Sequence, residues 1–174
     1  DNDEKYVEDI IRFYNQKEIP VRFELTPAHV SSDLLTYLNK LGFYQLDFHT
    51  SLYRVTDSML SEEEAEPQIS IRELERDEFD TFAEIYTKGF QMPSFLKSDV
   101  AQNNKILYNN QNWTFYLASI DNVPAGIGVL FIKDSIATLA AAATVPSLRK
   151  KGIQSALIKK RIYQASLEEC DLIV

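Results

Sequence analysis

The 174-residue sequence predicts a mixed α/β (α+β) architecture, and three observations carry that reading. Segments of two-residue apolar alternation interleave with segments whose apolar residues recur every three or four positions. Two alternating segments, 113–120 and 125–132, are separated by Asp121-Asn122-Val123-Pro124, a hairpin signal. Apolar residues make up 45% and charged residues 25%, the balance of a globular chain long enough to bury a core without staples.

The first element is a helix whose apolar stripe is Tyr6, Ile10, Ile11, Phe13 and Tyr14, with acidic residues at its front. Ile19-Pro20 ends it, and Val21-Arg22-Phe23-Glu24-Leu25 alternates as a strand does. Ser31-Ser32-Asp33 caps a second helix with Leu34, Leu35, Leu38 and Leu41 on one face and Gly42 as its stop. Residues 43–55 mix aromatics and alternation, consistent with two short strands. An acidic run ending in proline, 58–68, then reads as an exposed linker. Beyond it, 69–74 alternates as a strand, and 77–88 is a helix turning Phe79, Phe82, Ile85 and Tyr86 inward. A loop broken by Pro93 and a polar helix over 96–109 precede the hairpin. A third apolar run, 135–145, leads into a helix over 152–168, and 171–174 forms a last strand.

Charge narrows the functional classes. Lys and Arg number 18 against 26 Asp and Glu, for a formal charge of −8. Residues 1–68 hold 6 basic and 14 acidic side chains, so the whole imbalance sits there. Such a surface repels polyanions, which argues against nucleic-acid or anionic-membrane partners. No apolar run approaches the roughly 18 residues a membrane span needs, and the opening residues do not read as a signal peptide. One cysteine, Cys170, permits no intrachain disulfide and points to a reducing cytoplasmic setting. With two histidines, His29 and His49, it makes no standard zinc set, so no metal is expected. No P-loop pattern occurs, and Gly126-Ile127-Gly128 lacks both a third glycine and a following helix. Acidic neighbours make Cys170 a structural thiol rather than a reactive one.

One stretch carries chemistry. From Thr144-Val145-Pro146 the chain passes through Arg149-Lys150-Lys151-Gly152 into Ile153-Gln154-Ser155-Ala156-Leu157. A buried strand thus runs through a basic, glycine-containing turn into a helix. Free N–H groups at a helix start form an anion site, and glycine admits a ligand close to the backbone. Three cations at that end oppose the helix dipole unless an anion is present. A pyrophosphate fits the arrangement; on spacing alone, a merely solvated basic surface stays equally open.

The stretch resembles the acyl-CoA signature of the GNAT N-acetyltransferases, Arg/Gln-x-x-Gly-x-Gly/Ala, through Arg149, Gly152 and Gln154, the last standing where the pattern has a small residue. The element order from Ile69 to Val174 is similar as well. The resemblance implies a mixed, mostly antiparallel sheet flanked by helices. It implies acetyl-CoA as co-substrate, with Ala142, Ala143, Thr144 and Val145 meeting the pantetheine arm. Arg149, Lys150, Lys151, Gly152, Ile153, Gln154 and Ser155 would hold the pyrophosphate. The reaction implied is direct attack of a primary amine on the thioester; neither the acceptor nor a catalytic acid or base is named by the sequence. The loop with Phe90, Met92, Pro93 and Phe95 falls where the family's acceptor side lies. A non-catalytic acyl-CoA-binding or protein-interaction module is the alternative, and a homodimer is left open.

The family's pattern continues past the last strand with a helix and two strands. Residues 1–57 resemble that missing half: helix, strand, helix ending Leu41-Gly42-Phe43, then strands. The expected organisation is therefore a partial unit over 1–57, a linker over 58–68 and an acyl-CoA-binding unit over 69–174. A tandem of two units trimmed at both ends is favoured over one unit completed in permuted order.

Overall fold

The computed structural model describes residues 2–56 and 68–174, and of residues 2 and 3 the backbone alone. The expected linker at 58–68 thus falls almost wholly outside the described residues. The chain divides into two compact units, Asp1–Thr50 and Ser51–Val174.

The smaller unit holds helices α1 (Asn2–Asn15) and α2 (Ser32–Lys40). Ser31 caps α2 as expected, its hydroxyl accepting from the Leu34 N–H at 3.1 Å. Gly42, at φ +87°, closes its far end. The Tyr37 hydroxyl donates to Glu8 at 2.8 Å and ties the two helices together. Two expectations are corrected. Among the described side chains of α1 the buried one is Val7, while Tyr6, Ile10, Phe13 and Tyr14 of the expected stripe are exposed. Residues 21–25 form no strand. Their alternation is real, but a strand needs backbone partners, and this segment meets 43–49 through side chains instead. Phe23 packs edge-on to Phe43, and Arg22 and Glu24 face Asp47 and His49 at 3.7 and 3.5 Å.

The larger unit is a six-stranded sheet between two helical layers. Its strands are β1 (Arg54–Val55), β2 (Ile69–Glu73), β3 (Trp113–Ile120), β4 (Val123–Lys133), β5 (Ile136–Thr144) and β6 (Leu172–Ile173). Helices α3 (Phe79–Gly89), α4 (Lys97–Leu107) and α5 (Ile153–Leu167) complete it. Strand order is β1-β6-β5-β4-β3-β2, antiparallel throughout except for β5 with β6. Where two short strands were expected over 43–55, only Arg54–Val55 pairs, antiparallel to β6 at the sheet edge.

The central strands are apolar on both faces because helices cover both. Phe115, Leu117, Ile127 and Val129 pack with Phe79 and Phe82 of α3; their rings meet edge-on or tilted at 5.2–5.7 Å. Tyr116, Ala118 and Leu130 face the other way, onto Ile153 and Leu157 of α5. The β3–β4 turn is at Asp121-Asn122, both at positive φ, which suits a tight hairpin connection. Among the described residues no helix is long and apolar enough to cross a membrane, and no three metal-ligating side chains cluster.

Candidate functional site

Strand β5 is irregular in a way that opens the sheet. Val129 lies opposite Ala141 and Phe131 opposite Thr138, so β5 carries one extra residue, a bulge at Leu139–Ala140 facing Leu130. Before the bulge, Ala137 and Leu139 turn their backbone groups to β6: Val174 N–H donates to Ala137 and Leu139 N–H to Val174. Pairing with β6 ends there. From Ala140 to Thr144, no strand among the described residues covers that side of β5.

Beyond the bulge the alternation is reset. The Val145 N–H donates to the Ala125 carbonyl at 2.9 Å, so Val145 and, two residues back, Ala143 face β4. Antiparallel pairing then turns the N–H and C=O of Ala142 and Thr144 outward, to the uncovered side. Extended backbone groups left free in this way can pair with the amides of an extended ligand.

The chain next makes a single 3₁₀ turn at Pro146–Leu148, and Lys150 and Gly152 adopt positive φ, +63° and +83°. Gly152 is the N-cap of α5 and has no side chain with which to cap it. The N–H groups of Ile153, Gln154 and Ser155 therefore lack intrahelical partners. With the dipole of a 15-residue helix behind them, they favour an anion. A left-handed residue is what brings the helix start round to face β5, and glycine takes that conformation without steric cost.

A cleft of about 450 Å³ lies between these parts. Ala142, Ala143 and Thr144 form one wall; Leu148, Arg149, Lys150 and the start of α5 from Gly152 to Ser155 form another. Gly89 and Phe90, at the end of α3, close it. Arg149 spans the cleft, its Nη2 donating to the Gly89 carbonyl at 2.7 Å. Thr144 is 9% exposed, and among the described residues its hydroxyl finds no partner, so a polar group of a cleft-lining residue is left unsatisfied.

Nine of the eleven residues the sequence singles out line this one cleft. Val145 instead packs with the aromatic core on the α3 side, and Lys151 is exposed away from the wall. Gly89 and Leu148 were not foreseen. Of the loop expected on the acceptor side, Phe90 reaches the cleft, Met92 lines a neighbouring hollow with Lys88 and Lys97, and Phe95 is exposed. Arg161, buried against β4 and β5, was also missed as a structural residue. Its spacing betrays it: four residues after Leu157 and eight after Ile153, it falls on the buried stripe of α5.

No family model and no curated protein matches the sequence. Solved structures do match the fold. The ribosomal-protein-S18-alanine N-acetyltransferase from Escherichia coli is similar over 59% of this chain, with 17% identity and a TM-score of 0.50. That match covers 62% of the bacterial enzyme's chain, less than two thirds of it. AAC(6')-Iy, solved with the bisubstrate analog CoA-S-monomethyl-acetylneamine, is similar over 61% of this chain and 77% of its own, with 13% identity and a TM-score of 0.52. A GNAT family acetyltransferase from Staphylococcus aureus is similar over 61% and 84%, with 16% identity and a TM-score of 0.52. Identities this low speak to fold, and they agree with the six-stranded sheet opened beside β5: the larger unit of this chain has the fold of the GNAT acetyltransferases.

Proposed function

We propose that this chain is an acetyl-CoA-dependent N-acetyltransferase acting on a primary amine. The observation that carries the proposal is the shared cleft. An uncapped helix start and the unpaired edge of β5 face the same space, as a ligand with a pyrophosphate at one end and an amide-bearing arm at the other requires. The N–H groups of Ile153, Gln154 and Ser155 hold the pyrophosphate, and Arg149 and Lys150 add charge beside it. Ala142 and Thr144 pair with the amides of the pantetheine arm, which lays the thioester along β5.

In the reaction, the amine nitrogen attacks the thioester carbonyl carbon and the C–S bond breaks. The acetyl group is left on nitrogen, the sulfur leaves as thiolate, and the proton lost by the amine balances the one the thiolate gains. The protein's share is positioning and a backbone N–H near the carbonyl oxygen. The titratable side chains on the cleft wall are Arg149 and Lys150, so the amine is expected to react from its neutral form, with water relaying the proton.

The organisation proposed with this reading is a partial unit over 1–57, an acidic linker over 58–68 and an acyl-CoA-binding unit over 69–174, with one unit completed in permuted order as its alternative. What supports the alternative is Arg54–Val55, which lies before the acidic segment and extends the sheet beyond β6. The test of function mixes the full chain with acetyl-CoA and a panel of primary amines and follows free thiol. Amine-dependent thiol release above the hydrolysis rate supports the enzyme. CoA binding without turnover on any amine supports the non-catalytic module instead. Absence of CoA binding rejects the enzyme and the acyl-CoA-binding module and leaves the protein-interaction module.

A further inference from the structure

Arg161 of α5 is 1% exposed, yet among the described residues no carboxylate pairs with it. Burial lowers its pKa to about 10, which leaves it charged at neutral pH. A buried cation without a counter-ion is costly unless dipoles replace the lost water. Here the dipoles are backbone carbonyls. Nε donates to Leu157 one turn back at 3.0 Å, and Nη1 donates to both Val129 and Ala141 at 3.1 Å. Val129 and Ala141 are the pair that flanks the β5 bulge. The arm reaches them over Gly128, where a Cβ would stand 3.2 Å from Nε and 3.4 Å from Cδ. The missing side chain of Gly128 is the slot through which the guanidinium enters the sheet.

The consequence is positional. The bulge decides which residues of β5 turn their backbone groups outward, passing that role from Ala137 and Leu139 to Ala142 and Thr144. Without the extra residue, the outward set would be the odd-numbered one and Ala142 and Thr144 would face β4. We propose that Arg161 is a positioning residue of the cleft: by holding the Val129 and Ala141 carbonyls it fixes the bulge, and so aims the Ala142 and Thr144 backbone groups at the arm of the bound ligand. The proposal rests on the coenzyme A reading above. It assigns the guanidinium a task at the arm end of the site and none at the pyrophosphate end.

Those two ends can be separated by ligand. Coenzyme A carries both, whereas 3′-phospho-ADP keeps the pyrophosphate and lacks the arm. Calorimetric titration of both ligands is run on the native full chain and on Arg161→Met, Arg161→Lys and Gly128→Ala. Thermal midpoints and amide spectra confirm that each variant is folded. Arg161→Met is expected to weaken coenzyme A by about tenfold to a hundredfold, the loss of one or two hydrogen bonds, and to leave 3′-phospho-ADP within about threefold. Arg161→Lys keeps the charge but cannot span both carbonyls, and Gly128→Ala presses on the arginine from the strand. Both are expected to show the same ligand split to a smaller degree, which keeps the test alive if the methionine variant does not fold. Equal weakening of both ligands, or no change in a folded variant, overturns the positioning role. Failure of the native chain to bind either ligand is a separate result, and it overturns the coenzyme A reading and this proposal with it.

Discussion

Replacing Thr144 by valine separates what a hydroxyl does for the empty cleft from what it does for a bound ligand. The side chain is 9% exposed and its Oγ1 has no partner among the described residues. Valine keeps the β-branched shape that strand β5 favours and removes only the polar atom. Leaving a buried polar group unsatisfied costs about 1–3 kcal/mol. The side chain stands on a strand that lines a cleft, where small shifts can relieve part of that cost, so the lower end of that range applies. A gain of about 1 kcal/mol raises the melting midpoint of a unit of this size by roughly 4 °C. The sign reverses for ligand binding. If the hydroxyl bonds to the arm of coenzyme A, its loss weakens binding by about tenfold, the value of one hydrogen bond with its partner left unpaired. Scanning calorimetry of native chain and Thr144→Val, with and without coenzyme A, reads both quantities. The variant is expected to melt higher when empty and to gain less from ligand. A variant that melts lower when empty would refute the reasoning, because it would mean that the hydroxyl is already satisfied in the free protein.

Other perturbations follow from the same geometry. Lys150 lines the cleft and Lys151 does not. Titration with coenzyme A should therefore show the larger loss, and the larger drop in salt sensitivity, for Lys150→Ala; equal effects would mean that distance from the wall is irrelevant. Gly152→Ala forces a side chain into φ +83°, at a cost of about 1–2 kcal/mol. Its Cβ meets only Ile69 Cδ1 at an ordinary 3.5 Å, so the variant should fold with a lowered midpoint and reduced affinity, and an unchanged midpoint would remove the conformational argument. Glu78 is held at about 2, chiefly by the Arg72 guanidinium. A depressed carboxylate stabilises the fold above its unfolded pKa and loses that contribution as pH falls from about 4.5 towards 2. Acid titration of Glu78→Gln should show a flatter stability profile in that window than the native chain, and identical profiles would assign the acid sensitivity elsewhere.

The parts legible in the sequence are those set by neighbours along the chain. The 113–133 hairpin could be read because alternation and Asp121-Asn122 specify a turn locally. The start of α5 could be read because a glycine and three cations stand where a helix pattern begins. The failures all involve distant partners. Residues 21–25 alternate as a strand does, yet no segment among the described residues supplies their ladder. Of the two short strands read over 43–55 only Arg54–Val55 pairs, and it does so because Leu172–Ile173, more than a hundred residues later, presents an edge. Gly89 joins the cleft through a bond to Arg149, sixty residues on. The bulge in β5 leaves no trace in Ala140-Ala141-Ala142-Ala143, a run of small residues compatible with either register. Arg161 stood on the apolar stripe of its helix, but a charged residue beside two lysines invites a surface reading; only the carbonyls it meets make the interior tolerable.

The account stands on one claim, that coenzyme A lies in the cleft between the free edge of β5 and the start of α5. Amide spectra of the isotope-labelled chain, recorded as coenzyme A is added, test it most directly. The account expects saturable shifts, largest at Gly152, Ile153, Gln154 and Ser155 and at Ala142 and Thr144. Saturable shifts centred elsewhere, such as the hollow between Lys88 and Lys97, or none at millimolar ligand, would contradict it.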